Sequence, residues 1–382
     1  MAGLSDPLLN DAALLPVWHK VRRGERLAFA DGMAMLTTPD LPGLGQMADW
    51  ANRRRNGDRV FFTFNRQLNP SNVCVYSCKF CEFAAKPGSP YAYELSLEQC
   101  LATLSDELSE VHIVGGLHPE WEWERYTGLL AAIRARFPKI TIKAWTAVEI
   151  EYFAHKFRKT RRAVLQNLKD SGLDTLPGGG AEVFSERVRT LLFPQKIGYG
   201  EWREIHLLAH SMGIRSNVTM LYGHIETLEE RVDHMLKVRD MQDVSGGFDS
   251  FIPLAFQPGM TGITPLRASA VDDLRTVSCS RLLLDNVNHV KAYWVMLGEE
   301  TASIALAFGA SDLDGTIGEE KVAHSALAGS PVGLARERLV KLIREAGKLP
   351  VERDARYRVL REYGRTGESA ASAYQVSAGA PA

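Results

Sequence analysis

Short apolar, β-rich segments recur along the middle of the chain, at residues 60–64, 111–114, 140–145, 173–176, 214–221, 251–256, 290–296 and 311–313. Stretches with helical spacing separate them. The clearest covers residues 227–244, where Thr227 and Glu230 form a capping box and Leu228, Val232, Met235 and Leu236 recur at helix period. Strand candidates alternating with helices predict an α/β fold with a parallel sheet. The span from Val60 to Leu313 fits the ~250 residues of a (β/α)8 TIM-type barrel. A doubly wound open sheet would show the same alternation. Before about residue 58 the pattern is helical, and the run Arg53-Arg54-Arg55 reads as a solvated helix face. The expected organisation is an N-terminal helical extension over 1–58, a barrel with C-terminal helices over 59–364, and a loose tail rich in Ala, Ser and Gly over 365–382. In such a barrel the chemistry belongs at the C-terminal ends of the strands.

Composition narrows the class. The 382 residues are 45% apolar and 24% charged, close to the globular norm, and the formal charge is −1. No net basic field exists for a polyphosphate, so no nucleic-acid partner is expected. No apolar run approaches the ~18 residues of a membrane helix, and residues 1–13 lack a basic segment followed by an apolar core. A cytoplasmic protein is expected. Five cysteines are an odd number for a disulfide framework, and three of them fall between Cys74 and Cys81. That clustering points to a metal in a reducing compartment.

Cys74, Cys78 and Cys81 are spaced Cys-x3-Cys-x2-Cys in the loop after the first strand candidate. Three thiolates from one loop can hold three corners of a [4Fe-4S] cubane and leave one iron open to a small molecule. A zinc site is the rival, and it wants a fourth Cys or His. Cys100 falls in a helix-like stretch and Cys279 lies far along the chain. With the aromatic Phe80 just before the last cysteine, the motif resembles the signature of the radical S-adenosylmethionine superfamily. The resemblance implies that the open iron binds the amino and carboxylate groups of S-adenosylmethionine. A reduced cluster would then cleave the S–C5′ bond to methionine and a 5′-deoxyadenosyl radical. A (β/α) barrel is the fold that goes with it.

Two glycine segments follow strand candidates. Gly115 and Gly116 end the second, where the resemblance implies backbone carbonyls that accept the methionine ammonium; a plain strand-to-helix turn is the other reading. Gly178-Gly179-Gly180 precedes Glu182 and matches neither GxGxxG nor GxxxxGK[ST]. Glu182 suits ribose hydroxyls, or serves as a first-turn helix charge. Asn217 interrupts an apolar strand, and His224 follows it. Lys143 and Lys291 sit mid-strand, where a buried ammonium needs an anion from substrate or from a neighbouring carboxylate. Asp312 and Asp314 point the same way from the last strand.

The resemblance extends further. The segments 115–121, 143–149, 176–182, 220–226, 291–296 and 312–316 are similar to those of radical S-adenosylmethionine enzymes of the futalosine route to menaquinone. It implies a transferase that consumes S-adenosylmethionine as a substrate. The adenosyl radical adds to the enol ether of 3-[(1-carboxyvinyl)oxy]benzoate, and aminodeoxyfutalosine forms with loss of a carboxyl carbon. Lys143, Lys291, Arg275 and Arg281 become candidates for the two substrate carboxylates, and an electron donor such as flavodoxin or ferredoxin is implied. A sister activity that closes the ring of dehypoxanthine futalosine is the nearest alternative. A non-catalytic zinc-binding module is the alternative of another class.

Overall fold

The computed structural model describes residues 5–364; the expected tail over 365–382 lies outside them. The first predicted strand, over 60–64, is β1 (Arg59–Thr63), and β2 (Asn65–Leu68), which the apolar pattern does not predict, follows it directly. There follow β3 (Glu110–Ile113), β4 (Thr141–Ala144), β5 (Thr175–Leu176), β6 (Arg215–Tyr222), β7 (Phe248–Ala255), β8 (His289–Val290) and β9 (Asp312–Gly315). Strands β2 to β8 pair in parallel in sequence order. β9 returns to β1, with Phe61 facing Asp312 and Thr63 facing Gly315. A parallel bridge between Lys291 and Asp312 joins the end of β8 to β9, and Ala292 N donates to the Asp312 carbonyl at 2.8 Å. Because β1 runs through Phe64 straight into β2, the ring closes. This is the barrel, and the open sheet is excluded.

The split at Phe64 has a clear cause. Its carbonyl accepts from Ser109 N at 2.8 Å, which hands the strand's outer edge to β3. Below that point the edge of β1 is taken by β10 (Leu349–Arg353), followed by an antiparallel β11 (Val359–Glu362). The sequence pattern predicts only helices there, because Pro350, Glu352 and Arg353 hide a strand whose residues from Pro350 on are buried. The 290–296 segment is also shorter as a strand than expected; it turns helical at Trp294–Leu297.

Three helices precede the ring: α1 (Leu14–Arg23), α2 (Phe29–Thr37) and α3 (Leu41–Asn56). α1 stops at Gly24, whose φ of 70° is left-handed, and Asp40 caps α3 by accepting from Gly43 N at 3.0 Å. α2 packs on the outer barrel helices Leu228–Ser245 and Ala270–Leu283, α3 on the second of these, and α1 covers α2 and α3. A Cβ on Gly32 would lie 2.8 Å from a Val232 methyl. The arginine run is solvated as expected, with Arg54 and Arg55 exposed and Arg53 half-buried, and two of its guanidiniums also bind the chain. Arg53 pairs with Asp49 at 2.6 Å and Asp58 at 2.8 Å, and Arg55 donates to the carbonyls of Val287, at 3.0 Å, and Asp285. The Arg55 bonds tie α3 to the loop before β8. The capping box at Thr227 is present as expected, with Glu230 N donating to Thr227 Oγ1 and Thr227 N to Glu230 Oε2. No helix among the described residues is long and apolar enough to cross a membrane.

Candidate active site

A cavity of about 330 Å³ runs from the loops at the C-terminal ends of the strands into the ring. Cys74, Cys78 and Cys81 line its outer end. The loop that carries them is held by its own backbone and by Lys86. Cys74 N donates to Ala85 O at 2.9 Å, Val75 N to Leu117 O at 3.1 Å and Lys79 N to Leu192 O at 2.8 Å. The Lys86 ammonium donates to three successive carbonyls, those of Cys74, Val75 and Tyr76, at 3.2, 3.0 and 2.7 Å. Cys100 and Cys279 are buried in helices away from the cavity. Among the described residues no three His, Cys, Asp or Glu side chains converge on one ion position. Cubane ligands need no such convergence, since each thiolate takes its own iron. The donor set, three cysteines on one loop at the mouth of one cavity, fits three corners of a cluster.

The glycines after β3 are required by close packing. A Cβ on Gly116 would lie 2.1 Å from the Val73 carbonyl oxygen, and one on Gly115 would lie 2.9 Å from that of Ser71. Gly115 lines the cavity, whereas Gly116 packs beneath the cysteine loop and donates to Ser71 O at 2.9 Å. Gly178 is pressed against the backbone of Asn217 and Val218 in the same way. Glu182 follows in the left-handed region, at φ 47°, and lines the cavity.

Two residues of this outer half are not singled out by the sequence as parts of a site, although Thr146 and Glu149 have capping-box spacing. Lys196 comes from a loop with no strand or helix pattern. Its ammonium meets Glu182 Oε1 at 2.6 Å and lies 4.9 Å from the centre of the Phe80 ring, itself edge-on to Phe193 at 5.7 Å. Burial works against the Lys196 charge, but Glu182 and the neighbouring Cys78 more than restore it, so its pKa lies above the ordinary lysine value. Burial pushes the Cys78 thiol up to about 11, with Lys196 opposing. Glu149 caps the helix Ala147–Lys156 by accepting from Thr146 N at 2.6 Å, and it also accepts from Gly115 N at 3.4 Å. Burial pushes its carboxyl up to about 7.

The inner half of the cavity is a charged floor. Lys143 meets Glu110 at 2.9 Å, Lys291 meets Asp314 at 3.3 Å, and Arg353 on β10 meets Asp312 at 2.7 Å. Burial opposes the Glu110 charge, yet Lys143 and Arg353 hold its pKa near 2. Lys143, Lys291, Asp314 and Asn217 line the cavity; Asp312 lies beneath it. Asn217 Oδ1 accepts from Ser250 Oγ at 2.8 Å. Three expected candidates are not brought to the site. Arg275 donates to Thr38 O, and Arg281 donates to the carbonyls of Gly309 and Asn288 and to Ser311 Oγ. Both sit on the outer helix Ala270–Leu283, where their guanidiniums bind the chain itself. His224 is spent within its own loop, against the Leu221 carbonyl and the Ile225 amide.

Comparison with known proteins agrees with this geometry. The family profile "Radical SAM superfamily" matches residues 68–238, and "CofH/MqnC C-terminal region" matches residues 245–365. The chain is 41% identical over 374 residues to the aminodeoxyfutalosine synthase of Thermus thermophilus, covering 96% of this chain and 99% of that protein. It is 43% identical over 361 residues to that of Streptomyces coelicolor, covering 90% and 93%. A 5-amino-6-(D-ribitylamino)uracil–L-tyrosine 4-hydroxyphenyl transferase of Methanosarcina barkeri is 37% identical, covering 87% of this chain and 90% of that one. Among solved structures, methylornithine synthase superposes with a TM-score of 0.69 over 87% of this chain and 97% of its own, at 18% identity. That last likeness speaks for the barrel alone. This chain belongs to the radical S-adenosylmethionine superfamily, and within it to the aminodeoxyfutalosine synthases, enzymes of the futalosine route to menaquinone.

Proposed function

We propose that the chain joins the adenosyl group of S-adenosylmethionine to the enol-ether carbon of 3-[(1-carboxyvinyl)oxy]benzoate. The products are aminodeoxyfutalosine, methionine and the lost carboxyl carbon as CO2 or bicarbonate. When bound, a reduced [4Fe-4S] cluster supplies the electron that cleaves the S–C5′ bond. Cys74, Cys78 and Cys81 are the residues to hold it. Gly115 presents bare backbone to the cofactor's methionine end, and Glu182, fixed by Lys196, is placed to accept from ribose hydroxyls. Phe80 closes that side as an apolar wall.

The chain's other task is to hold the alkene against the adenosyl carbon, because positioning supplies much of the rate of such a coupling. Ile252, Leu254, Phe256 and Met296 give the cavity an apolar middle that excludes water from a reactive species. The observation that carries the reading is the single cavity that joins the three-cysteine loop to a floor holding Lys143 and Lys291. A flavodoxin or ferredoxin in the cytoplasm is the fitting electron donor.

The test is an anaerobic assay of reconstituted enzyme with dithionite, S-adenosylmethionine and the enol ether, read by mass spectrometry. The expected product carries the adenosine carbons. Formation of 5′-deoxyadenosine with no adduct, or ring closure of dehypoxanthine futalosine instead, overturns the reading.

A further inference from the structure

The cavity floor is dense in charge yet, among the described residues, has no uncommitted cation. Lys143, Lys291 and Arg353 are each engaged by a carboxylate, from Glu110, Asp314 and Asp312. Three positive and three negative groups cancel. An arriving carboxylate therefore needs a donor these pairs do not supply. Strand register sets Gln67, His112 and Lys143 side by side on β2, β3 and β4, and all three line the cavity. Gln67 is engaged with the Tyr293 hydroxyl at 3.0 Å. His112 Nε2 is buried and has no hydrogen-bond partner among the described residues. A buried polar atom without a partner calls for one. Burial, reinforced by Lys143, pushes the His112 pKa down to about 4, so its ring is neutral near pH 7 and carries one N–H.

Orientation follows from chemistry. The alkene must meet the adenosyl carbon, whose cofactor sits at the cysteine end. The enol carboxylate is on the alkene itself and stays near that end. The aromatic ring then extends inward between Val114, Ile252 and Leu254, and its own carboxylate reaches deepest. This step rests on the function proposed above.

We propose that His112 is a specificity-determining residue that receives the ring carboxylate, its Nε2–H donating to a carboxylate oxygen beside the neutralised Lys143–Glu110 and Lys291–Asp314 pairs. The lysines keep their present partners. An aromatic acid is thereby selected over the same ether without the ring carboxylate.

Two unreactive ligands test this on anaerobic reconstituted holoenzyme with S-adenosylmethionine present. One is the saturated ether 3-(1-carboxyethoxy)benzoate; the other is 2-phenoxypropanoate, which lacks the ring carboxylate. Calorimetry gives the four affinities of a cycle in which ligand carboxylate and protein imidazole are removed separately and together. His112→Phe and His112→Leu, which lack the donor, should weaken the benzoate about ten- to hundredfold, the usual effect of a hydrogen bond to a charged group. Both should leave phenoxypropanoate within about twofold of wild type. His112→Gln, which keeps an N–H donor, should recover part of the loss. Iron and sulfide content and melting temperature show which variants are folded, and having two donor-free variants guards against one that is not. Equal losses for both ligands, or no loss for either, overturn the assignment. Wild-type turnover of the enol ether is the separate control for the underlying reading; without turnover, that reading falls and this assignment with it.

Discussion

Arg353 on β10 places its Nε 2.7 Å from Asp312 Oδ2 on β9, and both side chains are wholly buried. The guanidinium also lies 3.9 Å from Glu110 and 4.1 Å from the centre of the Tyr357 ring, which stacks on His289 at 3.9 Å. A strand outside the ring thus supplies the cation that stoppers the ring's lower end. Removing one partner of a buried pair leaves an uncompensated charge, at a cost of about 3–5 kcal/mol. Arg353→Met should lose that much unfolding free energy in a denaturant titration. Arg353→Met combined with Asp312→Asn should lose less than the single change. A loss below about 1 kcal/mol for Arg353→Met would mean the pair is structurally idle.

Gly116 permits no side chain, because its Cβ position is 2.1 Å from the Val73 carbonyl oxygen, one residue before Cys74. That obstacle is backbone and cannot swing aside. Gly116→Ala must therefore push the cysteine loop outward. The expected result is loss of most cluster iron and sulfide after reconstitution, with the far-ultraviolet circular dichroism retained. Gly128→Ala is the control, since nothing lies within 4 Å of its Cβ position. Normal iron content in Gly116→Ala would show that the loop tolerates the shift.

The barrel was legible because most of its strands fall in apolar runs between helical stretches, although β2 (Asn65-Arg66-Gln67-Leu68) does not and was missed. The cysteine loop was legible because its three ligands are close in sequence. Lys196, Glu149 and His112 were not, because each gains its meaning from a partner distant in the chain. Lys196 needs the Glu182 carboxylate, Glu149 needs the Gly115 amide, and His112 needs the strand register that sets it beside Lys143. The mid-strand lysines were visible as buried charges, but a sequence cannot say which carboxylate answers them. Arg275 and Arg281 misled for the same reason: a cationic side chain on a helix satisfies main-chain carbonyls as readily as a ligand.

Cys74→Ala, Cys78→Ala and Cys81→Ala should each abolish reductive cleavage of S-adenosylmethionine, measured as methionine released under dithionite. Cys100→Ala and Cys279→Ala should retain it. Both of the latter thiols are packed in the core, so each change should cost about 1 kcal/mol of stability without touching the iron content. Loss of the cluster in the Cys100 variant would contradict the ligand set.

Acid should weaken the fold in two stages. His206 Nδ1 and His210 Nε2 share the Ser216 hydroxyl at 2.9 Å each, and His234 Nδ1 accepts from Phe184 N at 3.1 Å. Burial holds all three neutral, with His210 pushed down to about 4, His234 to about 3 and His206 well below the ordinary range. Below the unfolded value of 6.5 the unfolded chain binds protons that the folded chain refuses. Their contribution is thus present above pH 6.5 and lost as pH falls toward about 4. Each such proton changes stability by about 1.4 kcal/mol per pH unit. Glu149 and Asp273, pushed up to about 7 and about 6, act oppositely over part of this window. So does His324, where burial opposes the charge yet the Ser330 carbonyl and Glu320 hold the pKa above its ordinary value. His112 and His289 join the other side, and the five lowered histidines outnumber these three groups. Glu110 and Glu226, both held near 2, add a second loss between about 4.5 and 2. Urea unfolding should give a free energy that falls by several kcal/mol from pH 7 to pH 5. His210→Asn, which keeps a hydrogen-bonding group and does not titrate, should make that slope shallower. A profile that is flat or rising on acidification would sink the assignment of these histidines as buried and neutral.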